Sequence, residues 1–229
     1  MHPRCRCAII YREVGEEKKP AQSKPTQAPA STASSALLKP KTLEEAKIVA
    51  DKLNPIVGKY FVRRSKWNGQ MEVSPRLTNC KLPSCAIGVL LKDCPDEAIL
   101  HELVHAYSTS YYLHELNTNN LVLEEAAVQY MTQEIAKLEG IILDGSDYDF
   151  WVEALRKLNR TLSLYETDLK FAQRFLRVPL PVRLEWLNWK IRKALETGTF
   201  EQMVAATELA DKLTWEALES ELSKAGTAN

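Results

Sequence analysis

His101-Glu102-Leu103-Val104-His105 sets two imidazoles four residues apart in a stretch of helical periodicity. At ~100° per residue an i, i+4 pair diverges by only about 40°, one turn along the axis, so both rings can reach a single ion. Glu102 lies about 100° round from His101, beside the pair, where a carboxylate can meet a metal-bound water and take its proton. Ile99, Leu100, Leu103, Val104, Tyr107 and Tyr111 fall in one apolar stripe, while Ala98, His101, His105, Ser108 and Tyr112 share the other side. Chance alone would give such a pattern in about one chain of this length in a couple of hundred, and solvated helix faces often carry His and Glu. A strand running into the helix and an acidic helix downstream weigh the balance toward a metal site.

A catalytic zinc that keeps one position open for water needs a third protein ligand. Ser108 and Tyr111 stand where the extended pattern H-E-x-x-H-x-x-G-x-x-H has Gly and His, so the third ligand must come from elsewhere. Leu121 to Tyr130 supplies two carboxylates, Glu124 and Glu125. On a helical wheel Leu121, Ala127, Val128, Met131 and Ile135 flank Glu124, and a carboxylate facing a core there requires a cation partner. Glu125 lies at the edge of that stripe, with Gln129 one turn on, positioned for an outer hydrogen bond to a ligand His. The residues by themselves leave both carboxylates open.

The combination of H-E-x-x-H with a downstream acidic helix resembles the gluzincins, the thermolysin-like branch of the zinc peptidases. In that branch the third ligand is a Glu followed by a small residue, about twenty residues past the second His. Glu125 is twenty residues past His105, precedes Ala126 and has Tyr130 beyond it. Over residues 42 to 139 the resemblance favours Glu125, with Glu124 as the alternative ligand. It implies a zincin-like α+β fold, Zn2+ as cofactor, a protein or peptide substrate, and hydrolysis with Glu102 as the catalytic base. It also implies a group that polarises the substrate carbonyl, for which Tyr112 and His114 are candidates, surface or packing roles being at least as open to them.

The elements that must position these residues read as follows. Thr42 and Glu45 form a capping-box pair ahead of Ala46, Val49, Ala50 and Leu53, with Pro55 expected to close the helix. Lys59 to Arg64 is strand-like and meets Asn68-Gly69, a hairpin signal, with Met71 to Val73 expected to return along it. Ala86 to Leu91 reads as a buried or edge strand, and at an edge it could align a peptide by strand addition. Helices are expected over 95–113, 120–139, 148–163, 167–177, 182–197 and 200–223. The order is α+β: a small sheet with the active-site helix, then a helical C-terminal subdomain, the catalytic part spanning about 42–139 and the helical part 140–229.

Composition narrows the function classes. Among 229 residues Lys+Arg (30) balances Asp+Glu (30), so no global basic field points to nucleic acid. The longest apolar run, Ala86 to Leu91, is far short of the ~20 residues of a membrane span, so no membrane insertion is expected. Cys80, Cys85 and Cys94 read as small buried thiols in preference to a second metal site, and Trp151, Trp186, Trp189 and Trp215 as core. No Gly-rich phosphate loop or G-x-S-x-G elbow is present. Residues 15–41, rich in Pro, Ala, Ser and Thr, read as a flexible linker before the domain at 42–229.

Residues 1–14 carry too short an apolar stretch to read as a signal peptide. His2-Pro3-Arg4-Cys5-Arg6-Cys7 resembles the closing motif of the phage Mu-type minor head proteins. That resemblance implies a C-terminal extension of such a protein, with capsid or portal proteins as partners. It also implies an effector located in the cytoplasm, or in a virion that delivers it to the host cytoplasm. Two other readings accompany it. One is a regulatory protease that cleaves a repressor, although Val104 stands where such proteases usually have Gly. The other is a non-catalytic virion or interaction protein with a residual metal site.

Overall fold

The computed structural model describes residues 42–74, 80–82, 84–91, 96–110, 118–143, 145 and 148–212. The readings placed on the 1–14 motif, the 15–41 linker, Cys94, Tyr112, His114 and Trp215 lie outside the described residues. Within them the chain is mostly helical with one small sheet, an α+β arrangement.

Helix α1 runs Leu43–Gly58. Its capping box forms as expected: Thr42 Oγ1 accepts from the Glu45 amide at 3.1 Å and Glu45 Oε2 accepts from the Thr42 amide at 3.2 Å. Pro55 does not end this helix but sits inside its last turn. Proline removes one amide donor there, yet Val57 is fully buried, and the Lys59 and Tyr60 amides donate to Ile56 and Val57 oxygens, tightening the final turn.

The sheet has three short strands, β1 Met71–Val73, β2 Cys80–Lys81 and β3 Ile87–Val89, in the order β1-β3-β2. β1 runs parallel to β3, and β2 antiparallel to it. The hairpin expected at Asn68-Gly69 is therefore absent, and 59–64 forms no strand. Residues 60 and 61 instead continue helical turns from α1, and the Lys66 amide donates to the Ala106 oxygen at 2.9 Å. Asn68 is held by the segment ahead of β3: its amide donates to the Cys85 oxygen and its side-chain Nδ2 to the Ser84 oxygen. Gly69 still makes a turn, with φ 84°, but it delivers β1 to β3. The hairpin lies between β2 and β3, closed by the Leu82–Ala86 pair with Cys85 in the left-handed region at φ 66°. β3 is thus the fully buried central strand, and both of its edges are paired. Strand addition of a peptide at Ala86 to Leu91 is excluded.

Helix α2, Asp96–Tyr107, packs between α1, the sheet and α3, Thr118–Glu139. It stops at 107, short of the expected 113, because the Ser-Thr-Ser run redirects the backbone. The Ser110 amide donates to Ser108 Oγ, and Lys66 Nζ takes the Ser108 oxygen at 2.8 Å. Helix α3 ends at Gly140, whose φ of 69° lets the Ile141 amide return to the Ala136 oxygen. Among the described residues four helices follow: α4 Asp149–Leu162, α5 Asp168–Arg177, α6 Leu180–Leu195 and α7 Phe200–Lys212.

One hydrophobic core extends from Ala46 on α1 to Ala206 on α7. Tyr130 of α3, Phe171 and Phe175 of α5 and Trp186 of α6 form a chain of ring contacts in it, with centroids 5.7–6.0 Å apart. Trp151 is buried as expected, but Trp189 is half exposed. α6 buries Leu180, Arg183, Leu187 and Ile191, and position 189 falls on the opposite side of the helix. Cys80 is a buried thiol against Gly88, whereas Cys85 is only partly buried. Among the described residues no helix is long and apolar enough to cross a membrane.

Candidate metal centre

Ile99, Leu100, Leu103 and Val104 are fully buried and fix the rotation of α2, which turns His101 and His105 toward α3. Opposite them, α3 presents Glu125. Glu125 Oε2 lies 3.0 Å from His101 Nε2 and 3.1 Å from His105 Nε2. These three residues form a group whose ligand atoms all lie within 4.8 Å of one another and could hold a metal ion. The two rings meet edge-on, 4.9 Å apart. Tyr148, just ahead of α4, lies nearly parallel to the His101 ring at 6.1 Å, a neighbour that sequence reasoning missed.

The far nitrogens of both rings face α3 as well. Gln129 Nε2 donates to Glu97 Oε1 at 3.2 Å, which turns the amide oxygen toward His101 Nδ1 at 2.9 Å. An amide oxygen only accepts, so His101 carries its proton on Nδ1, and in the neutral ring Nε2 is left with a lone pair. His105 Nδ1 lies 3.6 Å from Glu124 Oε1, beyond hydrogen-bond distance but near enough for the carboxylate's charge to favour a proton on that nitrogen. In the neutral rings, then, two imidazole lone pairs and a carboxylate oxygen converge on one point. Three acceptors at that spacing repel one another unless protons or a cation lie among them.

Burial by itself would raise the Glu125 carboxyl. With the rings protonated, the charge of His105 and hydrogen bonds from both imidazoles outweigh it and hold the group well below the usual carboxylate range. A cation at the same point, with the rings neutral, would favour the anion in the same way.

Glu124, the alternative ligand, points elsewhere. It is almost completely buried, its Oε2 2.7 Å from Arg183 Nη1 and its Oε1 accepting from Ser108 Oγ at 2.6 Å. Arg183 is the cation partner that the helical wheel demanded, and sequence reasoning did not find it. The available signal was its place in the apolar register of α6, between Leu180 and Leu187. Gln129 sits where its outer role was expected. Glu102 is buried on α2 beside His101 and is not one of the three convergent groups. Compared with known proteins, the chain matches no family model, no curated protein and no solved structure.

Proposed function

We propose that this chain hydrolyses peptide bonds with a zinc ion held by His101, His105 and Glu125. The observation that carries the reading is the convergence of both Nε2 atoms on Glu125 Oε2, with both Nδ1 atoms facing acceptors on α3. Two imidazoles and one carboxylate suit zinc, whereas calcium and magnesium sites offer oxygen donors. The site occurs within the H-E-x-x-H pattern, which supplies a carboxylate next to the ligands in addition to the ligands themselves.

When bound, zinc supplies a Lewis acid and an acidified water. The protein residues do the rest. Glu102 takes the proton of the attacking water and returns it to the leaving amine. Gln129 through a hydrogen bond, and Glu124 through its charge, favour the tautomer that leaves each Nε2 free to ligate. The resemblance of the His2–Cys7 run to phage minor head proteins supports placing this activity in a particle-delivered effector.

Elemental analysis of the purified full chain tests the proposal. One zinc per chain is expected in the wild type, with loss in His101→Ala and in Glu125→Ala. Zinc content unchanged in both variants would overturn the ligand set, and iron in place of zinc would overturn the reaction class, since two His and a carboxylate also serve non-haem iron.

A further inference from the structure

We infer that Arg183 is a positioning residue for this metal site: it locks Glu124 against His105, so that docking of α6 and metal binding strengthen each other. The inference rests on the zinc reading above and deepens it, by making a helix far along the chain part of the site.

Arg183 is fully buried, and its guanidinium is held from several sides. It donates to the Leu123 oxygen on α3, to the Leu176 oxygen on α5 and to the Val178 oxygen just after α5. One nitrogen, Nη1, is then 2.7 Å from Glu124 Oε2. The carboxylate is anchored a second time by Ser108 Oγ at Oε1, the same oxygen that faces His105 Nδ1. With both oxygens fixed, the carboxylate has one orientation, and it keeps Oε1 3.6 Å from His105 Nδ1, an electrostatic contact on the side of the ring away from Glu125. The charge of the carboxylate favours the ring orientation and tautomer that turn Nε2 toward Glu125 and the metal position.

Stability alone is a poor reason for such a pair. Removing two charges from water is costly, and a well-packed apolar pair of similar volume is often as stable or more so. What an apolar pair could not provide is a fixed acceptor behind His105. Two further contacts join the end of α2 to the α5–α6 junction that carries Arg183. The Leu180 amide donates to Ser110 Oγ at 2.9 Å, and Thr109 Oγ1 lies 3.4 Å from the Leu176 and Arg177 oxygens. Displacing α6 would pull on Glu124 and on the last turn of α2, where His105 sits. By linkage, an ion that fixes His105 must stabilise the docked α6 by the same factor.

The test measures zinc affinity of the full chain by competition with a chromogenic chelator. Wild type, Glu124→Gln, Arg183→Met, the double variant Glu124→Leu/Arg183→Met, and Asp168→Asn as a destabilised control away from the site are compared. Loss of an outer partner of a ligand His costs about 10–100-fold in metal affinity, and that loss is expected in each network variant. The double variant should be no weaker than the worse single, because both residues act through one carboxylate. Asp168→Asn should bind zinc as the wild type does. Either single variant could unfold, since it leaves a buried charge without its partner; the double variant, with apolar residues on both sides, then decides. Hydrogen exchange on the wild type adds a readout that needs no substitution: amides of α6 should exchange more slowly with zinc than without.

A folded double variant with wild-type zinc affinity, or α6 exchange indifferent to zinc, overturns the inference and leaves the zinc reading intact. A wild type that binds no zinc overturns the zinc reading itself, and this inference with it.

Discussion

Glu102 carries the chemical part of the proposal, and one substitution isolates it. Glu102→Gln keeps the size and hydrogen-bonding capacity of the side chain but removes the base. Zinc content should stay at one per chain while hydrolysis falls by ~10²–10⁴-fold, the contribution typical of a positioned general base. A peptide library read by mass spectrometry would measure it before the natural substrate is known, and full activity in the variant would remove the mechanism. Loss of zinc would instead make Glu102 a ligand. At this scale the residues most legible in the sequence were those whose roles depend on local spacing. His101 and His105 sit one turn apart on one helix, and Gln129 sits one turn beyond Glu125, so a helical wheel suffices. Arg183 was not legible, because its partner Glu124 lies fifty-nine positions away and only tertiary packing brings them to 2.7 Å. Tyr148 was missed for the same reason, being brought to His101 by the path of the chain between α3 and α4.

At the scale of elements, α3 matters most, since it holds Glu124, Glu125 and Gln129 in register against α2. Its end is set by Gly140, with φ 69° and open space where a Cβ would be. The cost of a side chain there is conformational and not steric. Gly140→Ala is expected to lower unfolding stability by about 1 kcal/mol without changing zinc content. Urea titration measures the first and elemental analysis the second; an unchanged midpoint would mean that the turn relaxes freely. The helices after α2 were legible to within a few residues where their ends are described, because apolar periodicity and Gly or Pro punctuation are local signals. The sheet was not. Asn68-Gly69 carries a strong hairpin signal, but the Asn68 amide and side chain are bound to the Cys85 and Ser84 oxygens, which commits the turn to β3. Lys59 to Arg64 has strand-like composition but forms no strand, since Phe61 stacks on Tyr107 at 4.8 Å and the backbone bonds run to the ends of α1 and α2. Tertiary partners outweigh β propensity in such short strands.

For the molecule as a whole, α5 is the buttress behind α3, and its attachment to α4 makes the fold sensitive to acid. Asp168, the first residue of α5, accepts from Asn159 Nδ2 at 3.0 Å and from Arg160 Nη2 at 2.9 Å, both on α4. Burial would raise its carboxyl, but the Asn159 and Arg160 hydrogen bonds outweigh that and lower it below the ordinary aspartate value. A folded-state value below the unfolded one, ~3.9, means that the unfolded chain binds more protons in the interval between them. Asp168 therefore contributes stability that is complete above that unfolded value and is lost as pH falls through the lower, folded one. Asp168→Asn should be less stable than wild type near neutral pH, with the gap closing below about pH 4 as the wild-type carboxyl protonates. Urea midpoints at pH 7, 4 and 3 would follow this, and the other acidic groups, common to both proteins, largely cancel in the difference. A gap that stays constant down to pH 3 would mean that shape and packing at Asp168, and not its charge, join α4 to α5.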